Sequence, residues 1–289
     1  MTARLNIKWA ISTLGCHELD LPAICKLAEK HGIHHLEIRS LADCLNLPDY
    51  LDRTYPNDSA AVQQILNRHD QSIIALNSGF SLIGADQAAR DELLEFARWA
   101  EQLAVPIIRV FGGGSMDEPL STSDLETAVE NLQWWKKQRE DHQWKTQIAL
   151  ETHGGFSSSE RCLRLQESFG EPVDIIWDTH HTWKLANESA QQTWDQIGPM
   201  VRHLHIKDSN PVPSARHPYS YVLTGAGNFP VADVFNILRD NNYEGIVSLE
   251  WERKWHPYMP DLDTALDVLD ESGWRTGTPH HRASAETNS

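Results

Sequence analysis

Four residues able to bind a metal recur along the second half of this chain at regular intervals. Glu151 precedes Asp178 by 27 residues, Asp178 precedes His205 by 27, and His205 precedes Glu250 by 45. Each sits where a short apolar run turns polar: ALETHGG around Glu151, IWDTHH around Asp178, RHLHIKD around His205 and SLEWE around Glu250. Brought together, three carboxylates would repel one another unless a positive charge lay between them, and a divalent cation meets that need. Two Glu, one Asp and one His make an oxygen-rich, mostly hard donor set. It suits Mn²⁺ best, and Mg²⁺, Co²⁺ or Zn²⁺ can also be accommodated. A lone carboxylate at a strand end is more often a capping or salt-bridging group. A series of four ligand-type residues is a stronger signal than any one of them.

The elements that must position these residues can be read from the hydrophobic pattern. Eight short apolar runs occupy residues 5–12, 35–39, 72–77, 105–111, 147–152, 173–179, 201–207 and 245–251. Their near-continuous Ile/Val character suits strands covered on both faces, as in parallel sheets. Amphipathic stretches follow at residues 21–31, 85–103, 121–137, 160–168, 187–197, 230–241 and 261–269, several opened by Ser, Thr or Asp as helix caps. This β-then-α alternation predicts an α/β fold, a (β/α)8 TIM barrel in a single domain spanning residues 1–274, with residues 275–289 as a flexible tail. A doubly wound sheet is the rival, but no G-x-G-x-x-G opens a helix after a strand. In a barrel the C-terminal strand ends meet at one mouth, which would set the four ligands around one rim. Strand alternation puts Glu151 on a face with Ala149 and His153, Glu250 with Ser248 and Glu252, and His205 with His203 and Lys207.

Composition narrows the partner classes. The chain carries 25 Lys+Arg against 41 Asp+Glu, a net charge of −16, which argues against nucleic acid. No apolar run approaches the ~18 residues of a membrane span, and the N-terminal stretch lacks a signal-peptide core, so the expected location is cytoplasmic. Cys16, Cys25, Cys44 and Cys162 show no C-x-x-C spacing and fit reduced thiols. Gly112–Gly114 lacks the Lys-Ser/Thr of a phosphate-binding loop. The 15 His and 11 Trp suit metal ligation and flat walls for a ring-shaped ligand.

LETHGG, WDTHH, HLHIKDS, LTGAGNF and YEGIVSLEWE, taken in order, resemble the xylose isomerase-like TIM-barrel superfamily, and within it the sugar phosphate isomerase/epimerase branch. The resemblance covers nearly all of residues 5–272. It implies one divalent metal held by Glu151, Asp178, His205 and Glu250, with His205 rather than His203 as the ligand from H-x-H. It also implies a substrate role for His181, three residues after the Asp. Where the epimerases carry a substrate-binding Arg, this chain has Pro211, and Arg216 in the same loop is the candidate substitute. Lys207 is expected either to bind developing oxyanions or to pair with Glu250 or Glu252. His153 is expected as a substrate contact or a prop for Glu151, and Arg109 either in the mouth or paired with Glu37. Trp183, like Trp9, Trp251 and Trp255, is a candidate wall of a sugar pocket.

The implied function is a metal-dependent sugar isomerase or epimerase. One of Glu151 and Glu250 removes the proton beside a carbonyl, the metal stabilises the enediolate, and the other glutamate returns a proton. The alternative is a metal-dependent lyase, a dehydratase or decarboxylase of a keto-sugar or keto-inositol. An apurinic-site endonuclease of the same superfamily needs extra His ligands where this chain has Arg39 and Asn77, and an Asp where it has Ala215. The expected partner is a small-molecule sugar or sugar derivative, with no nucleic acid and no membrane; analogy allows a homo-oligomer.

Overall fold

The computed structural model describes residues 7–275. Seven parallel strands follow in order: β1 (Lys8–Ser12), β2 (His35–Ile38), β3 (Ser72–Ser81), β4 (Ile107–Phe111), β5 (Gln147–Glu151), β6 (Ile175–Asp178) and β7 (Val201–Ile206). A small antiparallel pair, β8 (Asp208–Asn210) and β9 (Ser220–Val222), then precedes the last barrel strand, β10 (Ile246–Leu249). The barrel closes in the order β1-β10-β7-β6-β5-β4-β3-β2. This is the expected single-domain (β/α)8 barrel. Each barrel strand falls within its expected run except β3, which extends to Ser81.

The helices form the outer layer. They are α1 (Leu21–Lys30), α2 (Leu47–Thr54), α3 (Ser59–Arg68), α4 (Gln87–Gln102), α5 (Thr122–His142), α6 (Ser159–Phe169), α7 (Thr179–Leu185), α8 (Ala190–Ile197), α9 (Val231–Asp240) and α10 (Leu262–Glu271). Polar caps set their starts: Asp20 accepts from the Ala23 N–H, Asp86 from Ala89 and Asp261 from Thr264. Helices α2, α3 and α7 lie outside the amphipathic stretches read from sequence. None of the described helices is long and apolar enough to cross a membrane. Residues 276–289 of the expected tail lie outside the described residues. Arg275 itself donates to the His31 carbonyl at 2.7 Å and pairs with Asp270.

The barrel interior changes polarity along its axis. Ala10, Ile74 and Ala75 form an apolar plug with Ile107 and Ile246 packed against it. Two residues further along the same strands, one alternation step nearer the C-terminal mouth, stand Ser12, Asn77, Arg109 and Ser248, all buried. Glu37 of β2 joins this polar layer beside a register shift between β2 and β3 at Leu36/Glu37. A bulge of this kind re-aims a side chain. A polar layer sealed beneath a rim of carboxylates serves to hold the groups above it.

Candidate metal centre

The four expected ligands converge. Glu151 ends β5, Asp178 ends β6, His205 lies in β7, and Glu250 follows β10 directly. One ligand atom from each lies within 4.8 Å of the others, and all four side chains are buried. The register explains the meeting: Asp178 is paired with His205 across β6 and β7, and His205 with Ser248 across β7 and β10. Alternation then brings Glu250, two residues past Ser248, to the same side.

Asp178 has two jobs. Its Oδ1 accepts from the His180 and His181 N–H groups at 3.0 and 2.9 Å, capping α7. That leaves Oδ2 directed at the centre. Thr152 ties the neighbouring strand ends together, its Oγ1 accepting from the Asp178 N–H at 2.8 Å. His181, fixed in the first turn of α7, donates from Nδ1 to the Thr152 carbonyl at 3.1 Å and lies as close to Asp178 Oδ2. Burial and the Lys207 charge hold His181 well below its ordinary value, so the ring is neutral.

His205 is oriented from behind. Its Nε2 donates to Glu37 Oε1 at 2.8 Å, which turns Nδ1 toward Glu250 and Glu151 at 3.3 and 3.6 Å. Glu37 also pairs with His203 at 3.2 Å and accepts from Asn77 at 2.6 Å. Burial alone would raise the Glu37 carboxyl, but His205 and His203 hold it well below the usual range. Burial would likewise lower His205, but Glu250 and Glu37 lift it well above its ordinary value, so without a metal the ring is protonated. A carboxylate gripping the far nitrogen of a ligand histidine is the common support of a metal site.

Two cations hold the carboxylates in place. The Lys207 ammonium, 1% exposed, lies 2.7 Å from Asp178 Oδ2 and 2.6 Å from both Glu250 Oε2 and Glu252 Oε1. The expected ion pair therefore forms with both glutamates and with Asp178 as well. Arg109 pairs with Glu151 at 3.1 Å and donates to the Ser78 carbonyl at 2.9 Å. This corrects the expected alternative partner of Arg109, because Glu37 is committed to the two histidines. Burial pushes the Asp178 carboxyl up to about 8, with Lys207 opposing and Glu250 and Glu151 reinforcing the rise. Burial also raises Glu250, but His205 and Lys207 outweigh it and keep that carboxyl well below its usual value. Glu151 is lowered too: Arg109 and His205 outweigh burial and the Glu250 charge.

The donors fit a divalent ion. Glu151 Oε2, Asp178 Oδ2 and His205 Nδ1 are buried and lack any hydrogen bond of good geometry. Arg109 and Lys207 approach the two oxygens at ion-pair distance without hydrogen-bond alignment. Buried polar atoms left in this state call for a partner. Three oxygens and a nitrogen of mixed hardness suit Mn²⁺, Mg²⁺, Co²⁺ or Zn²⁺ alike.

Above the centre lies a cavity of about 200 Å³, its wall including Arg39, His153, His181, Lys207, Glu252 and Trp255. His153 packs its ring against Phe111 at 4.6 Å and edge-on to His181 at 4.9 Å. Arg216 is exposed and lies 5.7 Å from the ring of Trp255, a wall residue, but is not itself in the cavity wall. Trp183 packs against His180 and Phe229 and is not in the cavity wall. Trp251 is spent on packing and on a 2.8 Å bond to the Pro260 carbonyl. Sequence reasoning missed Asp208, whose carboxylate accepts the Ser209, Gly225, Gly227 and Phe229 N–H groups and so folds the LTGAGNF loop. A Cβ on Gly227 would lie 2.3 Å from Asp208 Oδ1, which is why that loop needs glycine there.

Known proteins agree with this architecture. Among solved structures, the chain resembles the probable 3-DHS dehydratase AsbF of Bacillus anthracis, at 17% identity and a TM-score of 0.73 over 91% of this chain and 99% of that one. It resembles the IOLI protein with a bound zinc atom at 16% identity and a TM-score of 0.72, over 94% and 98%. D-psicose 3-epimerase matches at 15% identity and a TM-score of 0.69, over 94% and 100%. Likenesses at this level of identity speak for the fold. No curated protein sequence matches significantly. The sequence profile named xylose isomerase-like TIM barrel matches residues 25–272, and the chain belongs to that family.

Proposed function

We propose that this protein is a divalent-metal-dependent isomerase or epimerase of a sugar or sugar derivative, with Mn²⁺ as its ion. The observation that carries the reading is the rim order β5-β6-β7-β10, in which Glu151 and Glu250 stand on either side of Asp178 and His205. Glu151, Asp178, His205 and Glu250 would hold the cation. Once bound, it supplies Lewis-acid polarisation of a carbonyl and so makes the adjacent C–H more acidic.

The remaining work falls to the chain's own groups. Glu151 and Glu250 are both kept ionised by their neighbours, so either can accept a proton from carbon. Arg109 fixes the carboxylate of Glu151. With one glutamate on each flank, a proton removed by one can be returned by the other, to the opposite face or to the adjacent carbon. Lys207 and His181 border the same space and would hydrogen-bond oxygens on which negative charge develops. His153 in the cavity wall, and Arg216 behind Trp255, are proposed substrate contacts. The low-dielectric walls strengthen each of these interactions.

A lyase on the same scaffold has one observation in its favour. Pro211 removes the Arg that the epimerases are expected to carry, and Arg216 rests on Trp255 instead. Loss of a β-hydroxyl after the same proton abstraction would give a dehydratase.

The test is proton NMR in deuterated water, using manganese-loaded protein and a panel of ketoses, keto-inositols and 3-keto-sugars. Deuterium is expected at the carbon beside the carbonyl, and Glu151→Gln and Glu250→Gln should each abolish its uptake. Retained exchange in both variants contradicts the two-glutamate reading. Loss of water or carbon dioxide from the substrate selects the lyase.

A further inference from the structure

We infer that the substrate of this site carries an anionic substituent, a carboxylate or a phosphate, bound by Arg39 on the side of the mouth across from Asp178. The inference rests on the reading of the mouth as a metal-dependent, sugar-type site and adds a substrate class to it.

The argument starts from the cations in the cavity wall, which are Arg39, Arg109 and Lys207. Two of them are committed: Arg109 to Glu151, and Lys207 to Asp178, Glu250 and Glu252. Arg39 has no carboxylate within ion-pair distance among the described residues. Its guanidinium makes one long bond, 3.4 Å from Nη1 to the Leu45 carbonyl, and its backbone N–H is held by Thr13 Oγ1 at 2.9 Å. The backbone is therefore fixed while most of the guanidinium's donors remain free, in a planar fork suited to carboxylate or phosphate. Burial, with the Arg109 charge adding to it, pulls Arg39 down to about 10, against the more distant pull of Glu151, Glu92 and Glu250 in the other direction. Arginine stays protonated far above neutral pH. Its charge is thus retained at some energetic disadvantage, which an anionic ligand on the free donors would reduce.

Position and charge balance agree. In the closed barrel, β2, which ends just before Arg39, lies diametrically across from β6, which ends in Asp178. A substrate engaged at the metal ligands would extend its far end toward Arg39. With a divalent ion bound and the Asp178 and His205 protons displaced, four carboxylates, Glu151, Asp178, Glu250 and Glu252, would face these three cations and the ion, a balance of one positive charge that leaves the mouth electropositive. The cavity of about 200 Å³ is smaller than the ~300–1,000 Å³ pockets of drug-sized ligands, so a short-chain anion suits it.

The test is isothermal titration of the manganese-loaded full chain with three matched probes: glycerol, glycerate and glycerol 3-phosphate. At least one anionic probe should bind the wild type tenfold or more tighter than glycerol, and the ratio of the two anions separates carboxylate from phosphate. Arg39→Met should erase that preference, and Arg39→Lys should keep part of it. Manganese affinity and thermal midpoint, measured on both variants, should match wild type and show that the fold and the ligands persist. No preference in the wild type overturns the inference. A preference that survives Arg39→Met places the anion elsewhere and overturns it too. Failed deuterium exchange with the preference intact would refute the chemistry while leaving the Arg39 subsite standing.

Discussion

Lys207→Met is the perturbation with the clearest energetic signature. The ammonium is 1% exposed and within 2.7 Å of three carboxylates, two of them metal ligands. Removing one partner of a buried ion pair costs about 3–5 kcal/mol. Three pairs do not triple that figure here, because Asp178, pushed up to about 8, already holds its proton at pH 7 in the metal-free fold and contributes little charge. For a chain of this size roughly 2 °C accompanies each kcal/mol, so the metal-free variant should melt about 6–10 °C below wild type at pH 7. Manganese should then narrow the gap, because the bound cation neutralises Asp178 and Glu250 directly. At a hundredfold excess over the wild-type Kd, binding stabilises wild type by about 2.7 kcal/mol, and the variant gains more because no ammonium competes with the ion for its carboxylates. The assay is thermal unfolding by circular dichroism of both proteins, in chelator and in manganese. Equal melting temperatures in chelator, or a gap that manganese leaves unchanged, would refute the idea that Lys207 neutralises the metal-binding carboxylates.

Two further outcomes follow from the same groups. Glu37→Gln removes the charge that turns His205 toward the centre, and it should weaken manganese binding about 10–100-fold in a titration followed by electron paramagnetic resonance; an unchanged Kd would make Glu37 irrelevant to the site. The second concerns pH. In the metal-free fold Asp178 keeps its proton up to about 8 and His205 stays protonated well above its ordinary value, whereas an unfolded chain releases these protons near ~3.9 and ~6.5. The folded state therefore binds more protons across that window, and its stability falls as pH rises toward 8. Glu37 and Glu250, both depressed, act the other way: their contribution is present above their unfolded values and lost as acid drives pH down through the depressed ones. Metal-free protein should be most stable in mild acid, near pH ~5. Manganese must displace the Asp178 and His205 protons, so its affinity should rise with pH up to about 8. Calorimetry in buffers of different ionisation heat should register proton release, and a buffer-independent heat would contradict it.

The barrel strands were legible because each is a short Ile/Val-rich run, and the four ligands because each marks the end of one such run. Helix α7 was hidden by Asp178, which ends β6 and caps the helix with no intervening turn residue to announce it. Helices α2 and α3 form an added pair between β2 and β3, with only a few buried positions each to carry an amphipathic signal. The support beneath the rim was harder to see. Glu37 and His205 are 168 residues apart, and only closure of the barrel and a bulge at β2 bring them to 2.8 Å. The partner of Arg109 could not be chosen from sequence for the same reason, since Glu37 and Glu151 are both inward-facing acids on other strands. Trp183 read as a pocket wall because it follows a strand end, but α7 carries it to the side of His180. Asp208 was part of a recognisable motif, yet its role as the acceptor that folds a distant glycine loop emerges only in three dimensions.

Anomalous diffraction from crystals soaked in manganese tests the central claim most directly. The account predicts a single strong peak bonded to Glu151, Asp178, His205 Nδ1 and Glu250, with His205 Nε2 still on Glu37. A mouth without a peak, or manganese found only at the His31, Asp263 and Asp267 cluster, would contradict it.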